Sequence, residues 1–424
     1  MDHTPPAALR DLDDRLVAAA KDVKVLSHLA WPPRCREAFL DAWRAGAPEL
    51  PTPPPVEVDL SAQAAELAEL ARPALDHPLA RFIARTADSY LESIRMLQAA
   101  GTPAFTELSI QVYGQPSDPV APGGLTNLEA AQHFCEASEE LGSVCADTES
   151  DYCLSAEQVA TRMQAEFGPF FGDHTVEIVL DPGLAAKAAA GAERVRLRAA
   201  TCFSENDVDQ LIHHEGFVHA ATLLNGRVQP NLRALSLGAP RTTATQEGLA
   251  TFSELVTTSI DLNRLRRLAL RIVAVDMALS GADFLQVFEF FLQAGQTEDE
   301  SFNSTMRVFR GGDPRGGAVF TKDTVYLRGL LKTHTWLQTA LTARKVRFPH
   351  YLFSGRLTWG DVEELEPWFE SGWIAPPRYS PRWVARQHNL AAYLAFYSLT
   401  HAQPIGDAEL SSFVTQRYSR RAQR

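Results

Sequence analysis

The stretch from Ser204 to Gly226 constrains this chain more than any other, because it reads as one capped core helix carrying histidines at a spacing no regular helix uses. Ser204 is an N-cap residue, Asp207 completes a capping box, Phe203 can staple onto Val208, and Asn225-Gly226 supplies a stop signal. Val208, Leu211, Ile212, Val218 and Leu223 make a buried stripe. Within this helix lies His213-His214-Glu215-Gly216-Phe217-Val218-His219. Positions i and i+4 sit about 40° apart around a regular helix, whereas i and i+5 sit about 140° apart and cannot share one ion. A single π-bulge between Glu215 and His219 would restore the facing pair, with Gly216 supplying the backbone freedom.

Two imidazoles with a carboxylate directly after the first are the arrangement of HExxH metallopeptidases, where the histidines hold zinc and the glutamate activates water. Here the pattern is HExxxH, and the histidine and acidic content of the chain gives at most about 0.04 chance matches. A zinc enzyme needs a third protein ligand, and in one large class it is a glutamate on the following helix. Thr245-Gln246-Glu247-Gly248-Leu249-Ala250 opens that helix and offers Glu247. Glu254, seven residues on, is either a partner behind a ligand or a solvated side chain. The neighbour relation of histidine and glutamate selects His214 as the ligand, leaving His213 as a satisfied helix-face histidine.

Around this motif the periodicity predicts an α+β fold that is predominantly α-helical, with a small sheet beside the histidine-bearing helix, and the HExxxH motif makes the expected core a zincin-like metallopeptidase core. Residues 1–56 read as an N-terminal helical segment closed by a linker of Pro48, Pro51, Pro53, Pro54 and Pro55. Residues 57–424 read as the catalytic domain: a helical first part (57–170), a zinc-site core (171–345) and C-terminal helices (346–424). Two helices break near Pro73 and His77-Pro78, and further helices are expected near 126–140 and 155–167. Thr106 to Tyr113 alternates enough for a short strand, and better strands run from His174 to Leu180 and from Ala192 to Ala199. The alanine-rich piece Leu184 to Ala192 reads as a short surface helix between them. Helices then follow near 205–225, 245–258, 262–280, 283–295, 323–345, 358–370 and 383–401.

The 424 residues carry 40 basic and 52 acidic side chains, a net charge of −12, which argues against nucleic acid and anionic membranes as partners. The N-terminus has no basic region followed by an apolar stretch, and the most apolar helix, Leu268 to Leu279, contains Arg271 and Asp276 and is too short to span a bilayer. A cytoplasmic protein is the expectation. Cys35, Cys135, Cys145, Cys153 and Cys202 form an odd, widely spaced set and read as free thiols. The aromatic group Trp368, Phe369, Trp373, Tyr379 and Trp383 reads as packing around Pro376-Pro377, and the terminal RYSRRAQR as a frayed basic tail.

Together IHHEGFVHAATLLNG and TQEGLATFSE resemble the QEGLA-motif family, whose bacterial members bear the label flavohemoglobin expression-modulating protein. Its eukaryotic relatives are the microtubule-associated tyrosine carboxypeptidases, zinc enzymes that remove a C-terminal tyrosine or phenylalanine. The likeness spans roughly residues 60–400 and is strongest from Val195 to Leu330. It implies one zinc ion per chain on His214, His219 and Glu247, with Glu215 as the catalytic acid-base. The downstream Met306-Arg307-Val308-Phe309-Arg310-Gly311 and Phe320-Thr321-Lys322-Asp323-Thr324-Val325-Tyr326-Leu327 also resemble the family. Ala244 stands where the relatives often have proline, and the tubulin-binding specialisations of the eukaryotic enzymes have no counterpart here.

The chemistry of an exopeptidase agrees with that likeness. A free C-terminal carboxylate is held by the fork of an arginine or the point charge of a lysine, and Arg307, Arg310 and Lys322 are the candidates. Tyr326, four residues after Lys322, can stabilise the oxyanion formed in attack on the amide. The leading expectation is a zinc metallocarboxypeptidase acting on a peptide or protein C-terminus. Another zinc hydrolase, an aminopeptidase or dipeptidase, and a non-catalytic regulatory protein with a structural metal remain as alternatives.

Overall fold

A computed structural model describes residues 8–72, 75–121, 123–145 and 153–402 of the chain. Pro73 and the terminal RYSRRAQR lie outside the described residues, as does the side chain of Cys145. Helices dominate, and one small sheet interrupts them just before the histidine-bearing helix. Among the described residues no helix is long and apolar enough to cross a membrane.

The N-terminal helices Ala8–Ala20, Val25–His28 and Pro33–Arg44 are not an appendage. Leu9, Leu16 and Leu29 bury in the same apolar core as Leu249, Phe252 and Leu327 from the centre of the chain, while Phe39 and Leu40 join a second core of Phe284, Phe288, Phe291, Phe302 and Phe309. The proline linker then runs without regular secondary structure, and Val56 and Val58 on it pack on the first core. Helices Ser61–Leu70 and Pro78–Gln98 flank the expected break, the second started by Pro78 at its first position.

Pro103–Tyr113 is a helix rather than the strand expected over Thr106 to Tyr113. Pro103 sits at its first turn, and Phe105, Ser109 and Tyr113 are buried four residues apart, a helical face that eight residues of weak alternation concealed. Helices Asn127–Cys145 and Ala156–Phe171 follow as expected. Strands β1 (Glu177–Asp181), β2 (Ala188–Ala190) and β3 (Arg194–Arg198) form a mixed sheet in the order β1-β3-β2. β1 runs parallel to β3 in the register Glu177 to Arg194, and β2 antiparallel to β3 with Ala189 opposite Arg196.

β2 corrects the reading of Leu184 to Ala192 as a helix: the high helix propensity of alanine loses to the hydrogen bonds that β3 offers. The expected free thiols need a second correction, since Cys153 and Cys202 are joined as a disulfide beside the bridge between Leu154 and Phe203. Cys35 and Cys135 are free.

After the histidine-bearing helix come Thr243–Val256, Leu262–Leu279, Phe284–Gln293, Glu298–Phe309 and Val325–Thr342. Glu298–Phe309 was not among the expected helices, although Thr297 caps it and its buried residues follow helical spacing. Helices Thr243–Val256 and Val325–Thr342 cross at Gly248 and Gly329. There a Cβ on Gly248 would come within 2.3 Å of the Gly329 carbonyl group. This crossing brings the start of one helix beside the segment that opens the other.

Trp368, Phe369 and Trp383 are buried in the first core and Trp373 packs against it, so the C-terminal aromatics serve packing. The N-terminal helix is fastened by Asp13, 3% exposed, whose carboxylate accepts from the backbone N–H of Arg233 (2.6 Å) and Ala234 (2.9 Å). Burial pushes the Asp13 carboxyl up to about 6. Asp13→Ala should cost about 1–3 kcal/mol in denaturant unfolding by orphaning two buried donors. A carboxyl raised in the folded state stabilises most below its unfolded pKa and loses that contribution as pH rises through about 6. The wild type should therefore exceed the variant by more in acid than at neutral pH.

Candidate metal centre

The helix from Glu205 begins as expected, with Ser204 and Asp207 exchanging the two hydrogen bonds of a capping box. From Ile212 to Ala220 its backbone is π-helical, and it returns to α-helix over Ala221–Arg227. The expected bulge is therefore present, spread over nine residues. The reason for Gly216 differs from the one expected. Its backbone has no left-handed conformation, but a Cβ there would lie 2.2 Å from the Phe167 ring, so the glycine admits the close approach of helix Ala156–Phe171. Asn225 lies inside the helix rather than ending it, and its amide donates to the carbonyls of Phe353 and Tyr379.

The π-helical winding puts the His214 and His219 rings on one face, 4.7 Å apart and nearly perpendicular. Glu247 meets them from helix Thr243–Val256, with Oε2 3.5 Å from His214 Nε2 and 3.4 Å from His219 Nε2. Tetrahedral ligands about 2.0–2.1 Å from a zinc ion stand about 3.3 Å from one another, so these spacings fit one small cation. Ligand atoms of all three lie within 4.8 Å of one another, an arrangement consistent with a zincin-like site.

The electrostatics fit a cation as well. Burial alone would lower the His214 pKa, yet its hydrogen bonds to Glu247 and Glu254 carry it up to about 10, so without an ion a proton takes the positive place between two carboxylates. Burial acts against ionising Glu247, but Lys322 and the two histidines outweigh it and hold the carboxyl well below its usual range. His219 is lowered, chiefly by burial.

Behind His214 stands Glu254, fully buried. Its Oε1 lies 2.6 Å from His214 Nδ1 and accepts from Gln210 Nε2 (3.0 Å) and Arg264 Nη2 (3.1 Å), while Oε2 accepts from Arg264 Nε. Burial opposes the charge of Glu254, but Arg264 and His214 bring it down to about 2. An ionised Glu254 can only accept, so His214 Nδ1 donates and Nε2 is the ring nitrogen that an ion would take in place of the proton. His219 has no such support, since its Nδ1 is buried without a hydrogen-bond partner among the described residues.

Glu215 is buried on the same helix, and its Oε2 accepts from the Ala190 backbone N–H of β2 at 2.9 Å. The sheet thus reaches the chemistry through its edge strand. A cavity of about 390 Å³ opens between β2 and helix Thr243–Val256, lined by His214, Glu215, His219, Glu247, Arg310 and Tyr326 among others.

The downstream cations are brought together but used differently. Arg307 makes a two-bond fork with Asp323, both at 2.6 Å, and donates to the Tyr326 hydroxyl at 3.3 Å. Lys322 donates to Glu247 Oε1 at 3.1 Å and lies 5.0 Å from the centre of the Tyr326 ring. Arg310 is buried and, among the described residues, has no ion pair with a carboxylate; burial and then the neighbouring Arg307 lower it to about 10.

Sequence reasoning missed Arg264, which braces Glu254, and Arg356, whose Nη1 donates to Gln246 Oε1 and Nη2 to the His219 carbonyl. Neither belongs to a motif, and only chain crossings bring them in. His213 points away, into a separate cavity of about 560 Å³ beside Phe217, and its Nδ1 is buried without a partner rather than satisfied.

Removing the brace should weaken metal retention without removing a ligand. The paired variant Glu254→Gln with Arg264→Met leaves no lone buried charge, so it should remain folded by circular dichroism while its zinc dissociation constant rises about 10–100-fold in chelator competition.

The family model described as microtubule-associated tyrosine carboxypeptidase matches residues 37–402. No curated protein matches the chain. The match spans most of the sequence and contains the His214, His219 and Glu247 cluster, and the protein therefore belongs to the microtubule-associated tyrosine carboxypeptidase family and is a metallocarboxypeptidase.

Proposed function

We propose that this chain is a zinc-dependent carboxypeptidase that removes a single C-terminal residue, tyrosine or phenylalanine among them, from a peptide or protein. One zinc ion per chain is assigned to His214, His219 and Glu247, and Glu215 to the role of general base. The TQEGLA segment supports reading the chain as one of the QEGLA-motif members of its family. The observation that carries the proposal is that the His214, His219 and Glu247 cluster and the buried Glu215 share one cavity with Arg310, a buried cation that has no ion pair with a carboxylate among the described residues.

Zinc bound there supplies Lewis acidity toward water and toward a carbonyl oxygen. The residues of the chain do the rest. Glu215 keeps one carboxylate oxygen on the Ala190 N–H, which leaves the other to take a proton from the attacking water and to deliver it to the leaving amine. Tyr326 accepts a hydrogen bond from Arg307, so its own proton is free to donate to the oxygen that gains charge as the amide is attacked. Of the three candidate carboxylate anchors, Arg307 and Lys322 already hold Asp323 and Glu247. Arg310 is assigned to the substrate carboxylate, Arg307 to the support of Tyr326, and Lys322 to the charge and position of Glu247.

Glu215→Gln should retain about one zinc per chain while peptide hydrolysis falls by at least about 10²-fold, as expected when a general base is removed. Mass spectrometry of peptides offered with free and with amidated C-termini checks the polarity: release from the free ends alone is expected. Equal cleavage of amidated peptides would replace this reading with an endopeptidase or aminopeptidase.

A further inference from the structure

Leu26 is 42% exposed, one of few large apolar side chains so placed, and it lies on the wall of the cavity that contains the metal cluster. Val25 at the start of helix Val25–His28 and Leu29 just after it are buried, which clamps the helix to the body and leaves Leu26 on its exposed side. Two anchors fix this helix and the one before it across the cleft. On one side Asp13 holds the backbone N–H groups of Arg233 and Ala234. On the other, Leu29 packs so close to Gly311 that a Cβ there would meet its Cδ2 at 2.7 Å, and Gly311 directly follows Arg310. The N-terminal unit therefore bridges the loop after the histidine-bearing helix and the arginine assigned to the substrate carboxylate.

We infer that Leu26, held by the N-terminal unit, stands in the outer wall of the substrate cavity and is a specificity-determining contact for the side chain of the substrate's terminal residue. The inference rests on the carboxypeptidase reading above. In a terminal residue the carboxylate and the side chain leave the same Cα, so a carboxylate on Arg310 sets the side chain beside the segment that touches Gly311. The same cavity is lined by Ala188, Ala189 and Ala190 of β2, whose methyl groups leave room for a large guest. These apolar lining groups select an apolar or aromatic side chain, because only such a guest gains from taking Leu26 out of water. Residues 8–36 precede the segment matched to the family model.

Leu26→Ala and Leu26→Asn, on an exposed position, should leave the thermal unfolding midpoint in place. The preference for peptides ending in phenylalanine over the same peptides ending in alanine should fall about tenfold in kcat/KM, mainly through KM, the scale of one lost apolar contact. Calorimetric binding of the same peptides to Glu215→Gln, with and without the Leu26 substitution, should show the same loss without turnover. A preference within twofold of wild type, or a change that follows the penultimate residue instead, would overturn the Leu26 assignment alone. A wild type that releases no terminal residue would overturn the carboxypeptidase reading and this inference with it.

Discussion

One change of helical winding carries the rest of this structure. Between Ile212 and Ala220 the chain leaves the α-helical repeat, and only this lets His214 and His219 face a common point from five residues apart. A π-helical segment has poorer backbone geometry than the helix on either side, so packing must hold it. Phe167 lies against Gly216, Val218 and Ala220 are fully buried, and Arg356 grips the His219 carbonyl. The flanking α-helical turns, capped by Ser204 and tied down through Asn225, fix both ends.

Charge is the second constraint. Glu215, Glu247 and Glu254 are brought within one small region of the interior, where like charges repel and burial penalises each. Lys322 and Arg264 each neutralise one of them, and the remaining excess of negative charge is what draws His214 toward its protonated form. A divalent cation answers that demand better than a proton does, which ties metal affinity to the same carboxylates that orient the ligands. The two helices that bring Glu247 and Lys322 together cross at a pair of glycines, so a packing detail remote from the histidines sets where Glu247 meets them.

What the sequence disclosed follows from what kind of physics was involved. The histidine spacing forces a statement about helical geometry, and it led to the bulge; the expectation of a third ligand pointed to Glu247, which the structure brings to within 3.5 Å of both histidines. Caps and apolar spacing located most of the central helices. Contacts made at long range were not legible: Glu254 meets His214 across 40 residues, and Arg264, Arg356 and Leu26 carry no local pattern that marks them. Local propensity misled where tertiary hydrogen bonds decide, as in β2, whose alanines become an edge strand that hands one N–H to Glu215. The stretch before Tyr113 misled for the opposite reason, since its buried residues were helical but too few to outweigh apparent alternation.

X-ray absorption at the zinc edge of the loaded protein tests the central claim most directly. The account predicts two imidazole nitrogens at about 2.0–2.1 Å, a carboxylate oxygen at about 2.0–2.2 Å and one further light atom, with the imidazole contribution halved in His219→Ala. A sulfur shell, or a spectrum that His219→Ala leaves unchanged, would contradict it.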